Sequence, residues 1–253
     1  MKALILAGGL GTRLRPLTFS IPKPLLPVGE KPILQIIIEQ MKSAGIDDIV
    51  LATGYQAGLI RAFCGDGSKL GVNLSYVHEE HPLGTAGPLS LSRRHFENER
   101  VFLVMNGDII TRLDFAQFLH AGANGNCDLT VGFTKHVYRS PFGVLSIADG
   151  TVQGIVEKPC HEYAISAGIY CLRPSALEFV PDDVFFTMPQ LMERLLAANR
   201  KIGAYYIQDC WIGIESVEHF EEAIKELGKI PAEAGFVAQQ MEPSSLFGLT
   251  GEH

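Results

Sequence analysis

With 253 residues, 47% of them hydrophobic and 19% charged, the chain has apolar mass for one large core and the balance of an ordinary globular protein. A formal net charge of −7 excludes a general nucleic-acid-binding surface, so an anionic ligand has to be held by a local cluster of cations. No apolar run reaches the length of a membrane span or a signal h-region, which sets the expectation of a cytoplasmic protein with no membrane partner.

In chain order, the first predicted element is a buried strand at Ala3–Ala7, followed by three glycines in four positions, Gly8, Gly9 and Gly11. Glycine loses the most conformational freedom on folding, so such a cluster at a strand end marks positive φ or a close backbone approach. A helix is predicted over Pro32–Ala44, with Ile33, Ile36, Ile37 and Met41 at helical spacing, and a strand over Ile49–Thr53. Further strands are expected at Leu74–Val77, Val101–Met105, Leu129–Phe133, Ile165–Leu172 and Ala204–Ile207, and helices at Asp114–Ala121, Met188–Ala198 and Ser216–Leu227. This alternation implies βαβ units and a mostly parallel sheet. Gly143–Ile147 and Val152–Val156, turning at Asp149–Gly150, read as a hairpin inserted into that pattern. One domain therefore spans residues 1–228. Residues 229–253 lose periodicity and read as a tail, or as an arm against a neighbouring subunit of a homo-oligomer.

The remaining markers are plain. Cys64, Cys127, Cys160, Cys171 and Cys210 contain no CxxC pair, which fits reduced thiols in cores better than zinc or disulfides. His78 and His81 bracket an acidic pair without further ligands in sight, and the single Trp211 reads as core.

A glycine-rich turn after a first strand exposes several N–H groups to one side and makes a cradle for phosphate oxygens. Gly9-x-Gly11 lacks the third glycine of the dinucleotide fingerprint, with Leu14 in its place, and no GxxxxGK[ST] is present. Instead Arg13, Arg15 and Lys23 supply cations, while Pro16, Pro22, Pro24 and Pro27 stiffen the path. A stiffened cationic loop suits a triphosphate. Asp108 ends the run "VFLVMNGD" and projects from the carboxyl edge of a strand, where open α/β sheets bind ligands. It would give Mg²⁺ one carboxylate, the competing role being a cap or Asx turn.

"LAGGLGTRLRPLT" followed by "PKPLLPV" resembles the signature of the sugar-1-phosphate nucleotidyltransferases, and "EEHPLGTAGPL", "VMNGD", "FGVL", "VEKP" and "AGIY" follow in that family's order. The chain is most similar to the mannose-1-phosphate guanylyltransferase branch without a C-terminal β-helix. The resemblance implies a three-layer α/β/α, Rossmann-like nucleotidyltransferase fold and a reaction of an NTP with a sugar 1-phosphate, giving an NDP-sugar and pyrophosphate. It assigns Ala7, Gly8, Gly9, Gly11, Thr12, Gly84, Thr85 and Gly107 to the nucleotide, Arg13 to departing pyrophosphate, Lys23 to the α-phosphate and Asp108 to Mg²⁺. Lys158 would hold the sugar phosphate, with Glu157, Gly143, Ser166 and Gly168 around the sugar. The family's second metal carboxylate falls at Gly213 here, so Glu215 or Asp209 would have to substitute, or Asp108 would act with phosphates and water alone. Uridine- and thymidine-specific members carry Gln where this chain has Glu79; a carboxylate, acceptor-only, matches the N1–H and N2–H₂ donors of guanine. The alternatives are a UTP-, TTP- or CTP-specific enzyme and a non-catalytic regulatory relative.

Overall fold

The computed structural model describes residues 1–228; the tail-or-arm expectation for 229–253 lies outside the described residues. The elements run β1 (Lys2–Ala7), β2 (Pro27–Val28), β3 (Lys31–Pro32), α1 (Ile33–Ser43), β4 (Asp48–Thr53), α2 (Ala57–Cys64), β5 (Asn73–His78) and α3 (Pro88–Phe96). They continue with β6 (Phe102–Asn106), β7 (Ile109–Thr111), α4 (Phe115–Asn124), β8 (Leu129–Arg139), β9 (Val144–Ala148) and β10 (Thr151–Val156). The last are β11 (Cys160–Leu172), α5 (Met188–Ala197), β12 (Ile202–Tyr206), β13 (Trp211–Gly213) and α6 (Val217–Gly228).

Seven strands form the central sheet in the order β12-β8-β11-β6-β1-β4-β5. β1 pairs in parallel with β4 and β6, β4 with β5, and β12 with β8, while β11 runs antiparallel to both β6 and β8. Within the sheet β11 alone is reversed. Helices cover both faces. One core joins Ala3 and Ile5 of β1 to α1, α2, α4 and α6, and the other joins Leu4 to α3 and α5. Burial on two faces is why these strands read as continuous apolar runs rather than as alternations.

The predicted hairpin is present as the β9–β10 pair, with Asp149 at φ 50° and Gly150 at φ 72°, as a primed two-residue turn requires. The expectation fails in extent for two strands. β8 and β11 run well beyond the predicted Leu129–Phe133 and Ile165–Leu172, because their outer halves pair with each other, Lys135 opposite Ala164 and Arg139 opposite Cys160, as an exposed ribbon without a buried face. All five cysteines are free, and burial pushes the Cys64 thiol up to about 11 and Cys171 up to about 12. Cys160, expected in a core, is instead exposed on that ribbon.

Candidate active site

The carboxyl edges of β1 and β6 meet a single crevice lined by Gly9, Gly11, Thr12, Arg13, Lys23 and Asp108 among others. Ala7 and Gly107 line it as well. Gly11 has φ 60°, and its carbonyl accepts both the Leu14 N–H at 3.0 Å and the buried Thr18 hydroxyl at 2.8 Å. That double clasp folds the loop into a short turn carrying Arg13. Gly107 N–H donates to the Leu6 carbonyl at 2.9 Å, and a side chain there would stand 2.8 Å from the same oxygen, so β6 can deliver Asp108 to this edge only through a glycine.

The charges are paired in two couples. Lys23 Nζ donates to Asp108 Oδ2, and Arg13 donates to Glu215. Neither couple is legible in sequence, since the partners lie 85 and 202 residues apart. β13 explains the second: Gly213 stands opposite Ile109, and the Ile214 N–H donates to the Asp108 carbonyl at 2.9 Å. Glu215 therefore emerges beside the crevice, and its own N–H donates to His219 Nδ1 at 3.1 Å. Asp209 is corrected as a metal candidate. It is exposed in the bend before β13, ahead of Trp211, which pairs with Thr111, whereas Asp108 meets the opposite end of that strand through Ile214. Glu215 is on the right side but already holds Arg13. Among the described residues no group of three or more His, Cys, Asp or Glu converges.

Glu79 sits where β5 ends. A Cβ on Gly8 would stand 2.1 Å from its Oε1, so the carboxylate lies directly against the cradle backbone. Its Oε2 accepts the Leu83 N–H at 3.1 Å, which closes the following loop, and burial raises its pKa from the ordinary glutamate value. That loop is fixed from outside. Phe186 O accepts from Ala86 N and Gly87 N, both at 2.9 Å, and Met188 N–H donates to Thr85 Oγ1 at 2.8 Å. Gly84, at φ 77°, would collide with Phe186 O if it bore a side chain. Gly84 and Thr85 thus have structural duties that the motif alone did not reveal.

The sugar-side candidates divide. Gly168 is buried at φ 68° and its missing Cβ makes room for Asn106, whose Nδ2 would be 2.6 Å away. Glycine there is set by packing, and Asn106, two residues before Asp108 in the NGD motif, is the neighbour sequence reasoning passed over. Ser166 Oγ bonds the Tyr170 hydroxyl at 2.9 Å across the β11 bulge. Trp211, read as core, does pack against the core, and it also ties β13 to that bulge, its Nε1 donating to Ala167 O at 2.8 Å. Gly143, Glu157 and Lys158 are exposed on the hairpin arm; Glu157 Oε2 stands 3.0 Å from where a Gly143 Cβ would be, so these two neighbour each other. None of the three lines the crevice formed by Gly9 and Asp108.

The sequence profile of the nucleotidyl transferase family matches residues 2–230. The chain belongs to that family. The nucleotidyl transferase described here is 42% identical over 229 residues to the mannose-1-phosphate guanylyltransferase catalytic subunit beta of Drosophila pseudoobscura pseudoobscura, covering 87% of this chain and 60% of the relative. It is similar in structure to a Bacillus anthracis protein described as a glucose-1-phosphate thymidylyltransferase, solved with sucrose, at a TM-score of 0.73 and 25% identity over 91% of this chain and 96% of that one. HddC from Yersinia pseudotuberculosis, solved alone and with GMP-PN, matches at a TM-score of 0.70 and 27% identity over 89% and 99%. The nucleotidyl transferase spans 60–62% of the length of the curated relatives it matches. Among the described residues no helix is long and apolar enough to cross a membrane.

Proposed function

We propose that this nucleotidyl transferase condenses GTP with a sugar 1-phosphate to give a GDP-sugar and pyrophosphate. The observation that carries the reading is the meeting, at one sheet edge, of the Gly8–Arg13 turn, Lys23 and Asp108, with Glu79 against Gly8. A sugar-phosphate oxygen attacks the α-phosphorus in line, the new P–O bond forms, and the bond to the β-phosphate oxygen breaks. With a second phosphate pKa of about 6, the nucleophile is ionised at neutral pH. The protein needs no general base and works by positioning and by stabilising charge.

Arg13 would receive the departing pyrophosphate, exchanging Glu215 for phosphate oxygens. That exchange is cheap, because an exposed ion pair contributes only about 0–1 kcal/mol. Lys23, held on Asp108, faces the α-phosphate. Asp108 suits a Mg²⁺ ion carried largely by the substrate: Lys23 occupies Oδ2, and Oδ1 has no hydrogen bond among the described residues. One carboxylate with phosphate oxygens and water is an ordinary Mg²⁺ set, and the ion would supply neutralisation of phosphate charge. Lys158 and Glu157 would approach the acceptor from the arm. The names of the curated relatives support guanine and make mannose 1-phosphate the first acceptor to test. The free thiols support the reducing setting of a cytoplasmic enzyme.

The test is turnover of purified protein against GTP, UTP, TTP and CTP with a panel of sugar 1-phosphates, following pyrophosphate release. Preference for GTP is expected. Turnover with UTP or TTP alone moves the base assignment, and nucleotide binding without turnover identifies a regulatory relative.

A further inference from the structure

The turn between β4 and α2 carries residues that the reaction as outlined does not use. Gln56 adopts φ 51°, in the left-handed region that non-glycine residues rarely enter, and it opens α2 without a side-chain cap. Its amide is spent elsewhere. Nε2 donates to the Phe19 carbonyl at 2.8 Å, and the neighbouring Tyr55 hydroxyl donates to the same carbonyl at 3.4 Å. At the other end of the cationic loop, the Tyr55 N–H donates to the Gly8 carbonyl at 3.2 Å. A single two-residue turn therefore grips both ends of the Gly8–Phe19 loop.

From Phe19 the constraint runs inward. Adjacent Thr18 donates to Gly11 O, the same oxygen that accepts the Leu14 N–H and so closes the turn bearing Arg13. The Arg15 guanidinium lies over the Phe19 ring, 5.0 Å from its centroid. Phe19 itself is exposed, with no apolar burial to fix its position. The hydrogen bonds from the β4–α2 turn take that role.

We propose that Gln56, assisted by Tyr55, is a positioning residue that sets the height of the Arg13 turn over the crevice. The inference rests on the reading of Arg13 as the pyrophosphate-side cation. A group that acts only when charge moves onto the leaving phosphate must already be in place, and a displacement of the order of 1 Å can cost about 10²-fold in rate. The strained backbone at Gln56 is then the cost of aiming its amide at Phe19.

Gln56→Gly separates this role from a merely structural one. Glycine relieves the positive φ, so the variant should hold or raise its unfolding midpoint, yet kcat should fall by about tenfold to 10²-fold while the KM for GTP changes little. Hydrogen exchange of the amides in residues 9–19 should rise, a readout independent of turnover. In an Arg13→Ala background the same change should lose most of its effect on kcat, because residues acting through one another are not additive. Tyr55→Phe should show a smaller loss of the same kind. Unchanged exchange in residues 9–19, or a Gln56→Gly cost that multiplies in full with that of Arg13→Ala, would overturn the positioning role. If wild-type protein turns over no nucleotide, the proposed function fails and takes the catalytic role of Gln56 with it, whereas wild-type turnover with unperturbed loop exchange refutes this inference alone.

Discussion

Gly9 and Gly107 lie on the same edge for different reasons. A side chain at Gly107 would meet the Leu6 carbonyl, so the fold demands glycine there, whereas one at Gly9 would meet nothing within 4 Å. Gly9 lines the crevice and its missing Cβ leaves open space there, where the nucleotide of the proposed reaction would lie. Gly9→Ala is expected to leave the unfolding midpoint unchanged and to weaken nucleotide binding, since overpacking costs about 1–3 kcal/mol, or roughly 5- to 150-fold in KM for GTP. A lowered melting temperature with an unaltered KM would place the ligand elsewhere. At Glu79 the substitution to Gln keeps an oxygen that can accept from Leu83 N–H, so the loop stays closed, while an amide donor would face the N–H donors of the proposed guanine. The mismatch costs about 1–3 kcal/mol, roughly 5- to 150-fold in kcat/KM for GTP, and UTP or TTP should gain; an unchanged ratio of GTP to UTP rates would show that the base is read elsewhere. The same carboxylate gives a pH signature. Burial raises its pKa, so the folded chain keeps this proton to higher pH than the unfolded chain, and stability falls as pH rises through that window. Glu79→Gln should therefore melt higher than wild type at neutral pH, and the advantage should disappear below the ordinary carboxylate range. A difference in melting that stays constant with pH would contradict a buried carboxylate.

Among the elements, α5 does more than cover the sheet, because its first turn anchors the loop that follows β5. Thr187 caps it with a capping box to Gln190, and the buried Met188 sends its N–H across to Thr85. Thr85→Val removes that acceptor and leaves a helix-start donor unpaired, a loss of about 1–3 kcal/mol. Chemical denaturation should show it, together with a KM for GTP that rises more than kcat falls; full stability would mean that another acceptor takes over the Met188 N–H. Such links are what sequence reading passes over. The helix α1 and the strands β1, β4 and β6 follow plain apolar patterns, the glycine-rich loop and the segment after it led to Gly11, Arg13 and Lys23, and the end of the run "VFLVMNGD" led to Asp108. By contrast α2 opens on a left-handed Gln56 without a Ser, Thr, Asp or Asn cap, and α3 has Pro88 at its first position but Gly87 before it with no side-chain cap, so the start signal was missing in α2 and incomplete in α3. The outer halves of β8 and β11 are exposed on both sides and carry no alternation to read. The ion pair of Arg13 with Glu215 depends on β13 returning to β7, a fact of topology rather than of any local pattern.

For the molecule as a whole, the β9–β10 hairpin is an appendage to the two cores rather than a part of either. Phe142, Ile147, Val152 and Ile155 are all exposed, and none of these residues belongs to a core cluster. Replacing residues 142–158 by a two-glycine turn between Pro141 and Pro159 should leave cooperative unfolding of the two cores in place, since none of the removed residues belongs to either. GTP binding should persist and turnover should vanish, because Glu157 and Lys158 leave with the arm. Retained turnover would show that the acceptor is held without them, and collapse of the fold would show that the arm is structural. The reversed direction of β11 has a genetic consequence as well. There the sheet divides by chain order, residues 1–108 supplying β1, β4, β5 and β6 and residues 129–206 supplying β8, β11 and β12, with β13 crossing back to dock its end on Asp108. A single in-register recombination between residues 112 and 128 would exchange the second stretch and all that follows it as one block, and because that block carries Phe186 and Met188, which hold the loop after β5, and Glu215, which pairs with Arg13, the chimera's first stretch would feel the change as well.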